Sequence, residues 1–253
     1  VYDEHTFRLA KKYDAEVFVK INTGMNRLGF STIGETASAV KNLRVLGVFT
    51  HLSSADGDDA TDRRITEAQI KNFMEAELVV KNEKDVPFYA ENSAALIKYG
   101  RFFDGARIGI ALYGVNPVPG DKTPLLPVMT FRAAVIAINT VKKGDFIGYS
   151  RGYRAKKDMR VAIISTGYAD GLPRALSNKG MIFCNGQFLK IVGKVSMDSV
   201  AVDAGDADVK IMDEVVVFGD EITVTDVANR ADTLPYEILT GVSERVKRVY
   251  KNP

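Results

Sequence analysis

Residues 16–51 read EVFVKINTGMNRLGFSTIGETASAVKNLRVLGVFTH. Glu16 to Ile21 is a short, mostly apolar run of strand character, Thr32 to Asn42 has helical spacing, and Val45 to Thr50 is strand-like again. The same alternation extends in both directions. Upstream, Tyr2 to Tyr13 sets Phe7, Leu9, Ala10 and Tyr13 at loosely helical intervals. Downstream, Asp62 to Lys81 predicts a long amphipathic helix through Ile65, Ile70, Phe73 and Leu78. A strand follows at Pro87 to Ala90, a helix at Ser93 to Tyr99, and a final apolar strand at Ala106 to Tyr113. Strand and helix in this rhythm predict parallel βα units. Polar residues with chemical potential fall just after the strands, at Asn22 to Arg27, His51, Asn92–Ser93 and Arg107 to Ile110. Barrel active sites gather at that C-terminal edge, so the fold class is α/β, the C-terminal half of a TIM-type (β/α)8 barrel. Four strands are visible where a closed barrel has eight; at roughly 30 residues per unit, about 100 or more residues are absent. Such a half-barrel exposes a sheet edge and is expected to fold poorly by itself.

The character changes after the proline-rich connection Val115 to Pro127. Short β-type runs appear at Met129 to Asn139, Arg160 to Ser165, Met181 to Cys184, Phe188 to Val192, Val200 to Val202 and Glu214 to Phe218. Asn185–Gly186 between two of them is a hairpin signal. Thr225 to Arg230 and Tyr236 to Leu239 are helical. We therefore place a partial barrel at residues 1–120 and a mostly β domain at residues 121–253.

Composition bounds the function. The 253 residues are 46% apolar and 26% charged, an ordinary globular balance, and the net charge of +2 offers neither a nucleic-acid surface nor a polybasic membrane patch. The single cysteine, Cys184, excludes an intrachain disulfide and fits a reducing cytoplasm. No apolar run approaches a membrane span, and no signal peptide opens the chain. The first residue is Val1, and residues 1–13 read as the interior of a longer protein.

Individual residues leave alternatives open. Arg27, in a glycine-punctuated turn, suits a carboxylate or phosphate and equally a solvated loop. His51 at a strand end is a catalytic candidate or an ordinary hydrogen-bonded histidine. Glu91–Asn92–Ser93 opens a helix either as an anion site or as a plain N-cap. Arg107 lies inside the apolar run 105–114 and needs a partner if buried.

Taken together and in order, NTGMNRLGF, THLSSAD, ENSAA, ARIGIALYG, GYSRGY, STGYADGLPR, VGKVSMDSVAVD and PYEILTGVSERVKRVY resemble the motifs of alanine racemases over nearly the whole chain. The resemblance implies a pyridoxal 5'-phosphate (PLP) enzyme that interconverts L- and D-alanine, a cytoplasmic homodimer with shared active sites that supplies D-alanine for peptidoglycan. It implies that Tyr149 is one of two catalytic bases, that Arg107 faces the pyridine nitrogen, and that His51 bonds to Arg107 and orients the tyrosine. Ser93, Gly109, Ile110 and Tyr250 match phosphate contacts; Arg27 and the Met197 backbone match substrate-carboxylate contacts; Tyr168 stands at the entrance. Lys20 matches a lysine that is carbamylated in many members. No metal site is implied. Asn22 stands where the family usually has aspartate and Asn26 where it commonly has glycine, and the first change weakens the expected carbamate network.

Racemisation removes the α-proton and returns one to the opposite face, so two bases are required. A phenol is a poor base at neutral pH and needs nearby cations, which His51 and Arg107 can provide. An arginine at the pyridine nitrogen keeps its own proton, which leaves the nitrogen unprotonated and suppresses side reactions such as transamination. The second base in the family is the Schiff-base lysine. No motif in this sequence resembles its surroundings, and Lys20 matches a different role, so the chain as given is expected to be inactive alone. Two other readings stand beside this one: a non-catalytic remnant or dimerising module, and a racemase of broader amino-acid range.

Overall fold

A computed structural model describes residues 1–251. They form two compact units, Val1–Leu126 and the part from Pro127 onward. The family of short elements in the first unit runs α1 (Glu4–Lys12), β1 (Glu16–Lys20), α2 (Ile33–Asn42), β2 (Arg44–Phe49), α3 (Ala60–Lys81), β3 (Phe88–Tyr89) and α4 (Ser93–Tyr99).

Each helix starts where a side chain can take an orphan backbone N–H. Asp3 and Thr32 close capping boxes with Thr6 and Glu35, and Asp59 and Asn92 accept from Asp62 and Ala95. The three strands pair in parallel in the order β1-β2-β3, with Glu16 opposite Arg44, Lys20 opposite Phe49, and Phe49 opposite Tyr89. Helices cover one face. α3 presents Ile70, Phe73, Ala76 and Val80 to Val19, Val45, Val48 and Phe88 in one apolar cluster. The Phe73 ring sits 5.1 Å from Phe88 and 4.8 Å from Phe103, centroid to centroid. Phe18 and Leu46 remain exposed. The Phe18 ring meets Tyr89 edge-on at 5.9 Å, above the space that Gly47 leaves free. Along the outer edge of β1, Val1 gives its ammonium to the Phe18 carbonyl and accepts from the Lys20 N–H, and Phe30 N–H donates to the Lys20 carbonyl at 2.9 Å.

One expected element needs correction. Ala106 to Tyr113 is not a strand: Ile110–Tyr113 winds into a 3-10 turn. The fourth position of the sheet is held by fewer bonds, from Asp104 N–H to the Phe88 carbonyl, from Arg107 N–H to the Glu91 carbonyl, and a bridge between Gly105 and Tyr89. Glycines at 105 and 109 interrupt the run, and the apolar content reflects the burial of Ile110 rather than extended pairing.

The second unit holds β4 (Phe131–Val141), β5 (Phe146–Ile147), β6 (Tyr153–Arg154), β7 (Met159–Ile164), β8 (Met181–Cys184), β9 (Gln187–Lys190), β10 (Val200–Asp203) and β11 (Glu214–Phe218), then α5 (Val224–Ala231) and α6 (Pro235–Gly241). Six strands form an antiparallel sheet ordered β10-β7-β4-β11-β8-β9. Ile191, just beyond β9, bridges to Val202 of β10, so the two ends of the sheet meet and the sheet closes on itself. Alternate positions such as Val161, Val215, Val217, Leu189 and Ile191 fill the interior. Asn185 and Gly186 both take positive φ in the β8–β9 hairpin, as the dipeptide predicts. Cys184 is buried and unpaired, and among the described residues no helix is long and apolar enough to cross a membrane.

Candidate active site

In the first unit the candidate residues converge at the C-terminal ends of the strands. Lys20 is the last residue of β1, only 8% exposed, with its Nζ 5.8 Å from the Phe49 ring. Phe49 ends β2, and its ring also carries the Arg107 guanidinium at 4.6 Å. Two residues further on, His51 Nδ1 lies 2.9 Å from Arg107 Nη2, which also donates to the Thr50 carbonyl at 2.6 Å. Arginine has no acceptor, so His51 Nδ1 accepts, and the proton of the neutral ring belongs on Nε2. The Arg107 Nε is buried without a partner.

This group is cationic. Burial, then Arg107, Arg27 and Lys20, push the His51 imidazole down to about 4. Burial followed by Arg27 and Arg107 lowers Lys20, and burial followed by Arg27 lowers Arg107. Among the described residues no carboxylate lies within ion-pairing distance of Lys20, Arg27 or Arg107. Uncompensated cations crowded at a sheet edge are a site for an anion.

The turn that carries Arg27 is built by Asn22. Its side-chain Oδ1 accepts from the N–H groups of Gly24 and Asn26, and its Nδ2 donates to the Asn26 side chain at 3.0 Å. Asn26 has φ of 58°, a left-handed conformation that asparagine tolerates better than most residues and glycine best. Asn22 is thereby committed to the turn and is not bonded to Lys20.

A second cluster lies at the start of α4. Ser93 Oγ accepts from Gly109 N–H at 3.0 Å and Ala111 N–H at 3.3 Å, while Asn92 donates to the Leu52 carbonyl. A Cβ at Gly109 would meet no atom within 4 Å, which leaves open space beside two backbone donors and a hydroxyl. Both amides are taken by Ser93 Oγ, whose own O–H is left to donate to a phosphate oxygen in that space. Asn92 is the ordinary N-cap of that helix, accepting from Ala95 N–H at 2.9 Å.

The second unit brings Tyr168 and Met197 together. Tyr168 N–H donates to the Ser196 carbonyl and Ala169 N–H to the Met197 carbonyl, each at 3.0 Å. Gly167 permits this approach, because a Cβ there would collide with both carbonyl oxygens. Asp170 fastens the turn by accepting from Gly167 N–H at 2.8 Å and pairing with Arg245 at 2.9 Å; Arg245 reaches on to Asp198 at 2.6 Å. Tyr149 sits in a tight turn between Gly148 and Ser150, both at positive φ, with its side chain 69% exposed. Tyr250 is 88% exposed and joins none of these contacts.

Sequence reasoning passed over Phe49, which carries two of the cations, the Asp170–Arg245–Asp198 clasp, and Gln69, which bonds to the His51 carbonyl. Gln69 alone had a signal: a polar residue on the apolar stripe of a helix.

Residues 4–117 match the family model "alanine racemase, N-terminal domain", and residues 128–250 match "alanine racemase, C-terminal domain". The alanine racemase of Halothermothrix orenii is 36% identical over 97% of this chain and 68% of its own length. The chain belongs to the alanine racemase family. The Aquifex aeolicus alanine racemase is 34% identical, over 98% of this chain and 70% of its own. Among solved structures, alanine racemase from Streptomyces coelicolor A3(2) superposes with a TM-score of 0.93 at 29% identity, covering 100% of this chain and 72% of that one. Alanine racemase from Bartonella henselae, solved with covalently bound pyridoxal phosphate, gives 0.86 at 30% identity, over 98% and 70%. The racemase fold joins a barrel domain to a mostly β domain, and both units described above follow it.

Proposed function

We propose that the protein is a PLP-dependent alanine racemase whose cofactor and substrate are held by the cationic cluster of the first unit. The observation that carries this reading is the Arg107 nitrogen shared between His51 and Thr50, inside a group of cations with no carboxylate partner. Ser93, Gly109, Ile110 and Tyr250 would hold the phosphate, and Arg107 would face the pyridine nitrogen. When bound, PLP supplies the delocalisation that stabilises negative charge at the amino acid's α-carbon.

The remaining work belongs to the chain. Arg27 and the Met197 backbone bind the alanine carboxylate, and Tyr168 narrows the entrance against larger side chains. Tyr149 takes or returns the α-proton at its phenolic oxygen, oriented by His51. His51 does this as a neutral ring and not as the cation expected from the sequence, because burial and the neighbouring cations hold it deprotonated at pH 7. Arg107 keeps its proton, so a pyridine nitrogen held against it would stay a hydrogen-bond acceptor. Lys20, with its ammonium form disfavoured by burial, is suited to carbamylation, which would give the Arg27 region the negative charge it lacks. None of the lysines in these 253 residues carries the cofactor in this reading; Lys20 has the other role. The protein acts as a cytoplasmic homodimer in which Tyr149 serves the partner's site, and its D-alanine feeds peptidoglycan synthesis.

Equilibrium dialysis with PLP tests the placement. Ser93→Ala and Arg107→Gln should each weaken binding about 10-fold, the loss of one charge-assisted or phosphate hydrogen bond. Equal binding by all three proteins would reject it.

A further inference from the structure

Gln69 lies on the inward stripe of α3 with Thr66, Ile70 and Phe73 and is 2% exposed. Its Nε2 donates to the His51 carbonyl at 3.1 Å and to Thr23 Oγ1 at 3.3 Å. Its Oε1 accepts from Ser53 N–H at 2.9 Å and from Ser53 Oγ at 3.0 Å. A primary amide has two donors and two acceptor positions, so this side chain is fully used. The partners also fix its orientation, since a flipped amide would set oxygen against the His51 carbonyl.

The bonds continue beyond the amide. Thr50 Oγ1 donates to the Ile21 carbonyl at 3.0 Å, so Thr23 is the donor in the 2.7 Å bond between the two threonines, and it is free to accept from Gln69. The Thr50 carbonyl takes Arg107 Nη2, the same nitrogen that meets His51 Nδ1. Gln69, Thr23, Thr50, Arg107 and His51 therefore form one closed circuit around the ends of β1 and β2. Asn72, one turn along α3, adds a donor to the Thr23 carbonyl at 3.4 Å.

We infer that Gln69 is a positioning residue, whose buried amide keeps the His51–Ser53 segment and the Thr23 turn in the register that seats His51 on Arg107. The inference rests on the proposed site but not on the cofactor. A side chain present only to fill space would be apolar at this depth, because an amide buried there gains only if every bond is made.

The test is the ring-nitrogen NMR signature of His51 in the 253-residue chain at pH 8, where the imidazole is neutral. The other histidine, His5, is assigned by His5→Gln. The wild type should show a single tautomer with Nδ1 accepting. In Gln69→Met, similar in volume, that signature should give way to mixed tautomers. Val80→Ala, buried on the same helix, should lower stability and leave His51 as in the wild type. A wild-type His51 signature in Gln69→Met would overturn the inference. Should that variant not fold, Gln69→Glu decides: it keeps the side-chain shape but sets a carboxylate oxygen against the His51 carbonyl, and a retained single tautomer would again refute the role. No PLP or turnover enters the readout, so weak cofactor binding would count against the proposed function and leave this result standing.

Discussion

His51 gains its properties from what surrounds it. Burial and three cations push its ring down to about 4, against about 6.5 for a free histidine. The unfolded chain therefore binds more protons than the folded one between those values. Stability from this group is fully present above about pH 6.5 and is lost as pH falls towards 4. Urea unfolding at pH 7.5 and pH 5 should show the loss, and His51→Gln should flatten the difference between the two. An unchanged difference would assign the acid sensitivity to other groups. Lys20 carries the second prediction at this scale. With its ammonium form disfavoured, its amine should add carbon dioxide: labelled bicarbonate should give a carbamate signal in carbon NMR that Lys20→Met abolishes. A signal surviving that substitution would place the carbamate elsewhere. The roles of His51, Arg27 and Arg107 were legible only through the family motifs. Their residue types alone left bland alternatives open, because a histidine at a strand end says nothing about a guanidinium brought to it from 56 positions away.

Elements carry most of the fold, and most of them were written locally. Apolar runs such as EVFVKI and VLGVFT became β1 and β2, and Asn185–Gly186 became the turn its chemistry predicts. The run at residues 106–113 misled because apolar content does not separate a strand from a 3-10 turn in which Ile110 is the buried residue. Gln69 was hidden for a related reason: its partners come from two other loops, and periodicity records only that it sits on a buried stripe. The packing of α3 against the sheet turns on Phe73, which is fully buried between Phe88 and Phe103. Phe73→Ala should cost about 3–5 kcal/mol in urea unfolding, the usual range for emptying such a site. A cost under about 1 kcal/mol would mean that the helix is held by its polar bonds instead.

At the scale of the molecule, the two units solve the edge problem differently. The second closes its six strands into a ring through Ile191 and Val202, whereas the first leaves the outer edge of β1 bonded by short contacts at Val1 and Phe30, with Phe18 and Leu46 exposed. The chemistry divides along the same line. In the proposed function the residues that meet cofactor phosphate, pyridine nitrogen and substrate carboxylate, Ser93, Arg107 and Arg27, lie in the first unit with His51 and Lys20, and Tyr149, Tyr168 and Met197 lie in the second. A racemase needs two proton-transfer groups on opposite faces of the substrate, and in that proposal these residues supply one, Tyr149. The central claim is thus that this chain binds PLP through its cations and donors without linking it to a lysine of its own. The direct measurement is to add PLP to the purified chain, reduce with borohydride and map modified peptides by mass spectrometry. Bound cofactor with no specifically modified lysine in residues 1–253, Lys20 included, is the expected result. One specifically reduced lysine within those residues would contradict it.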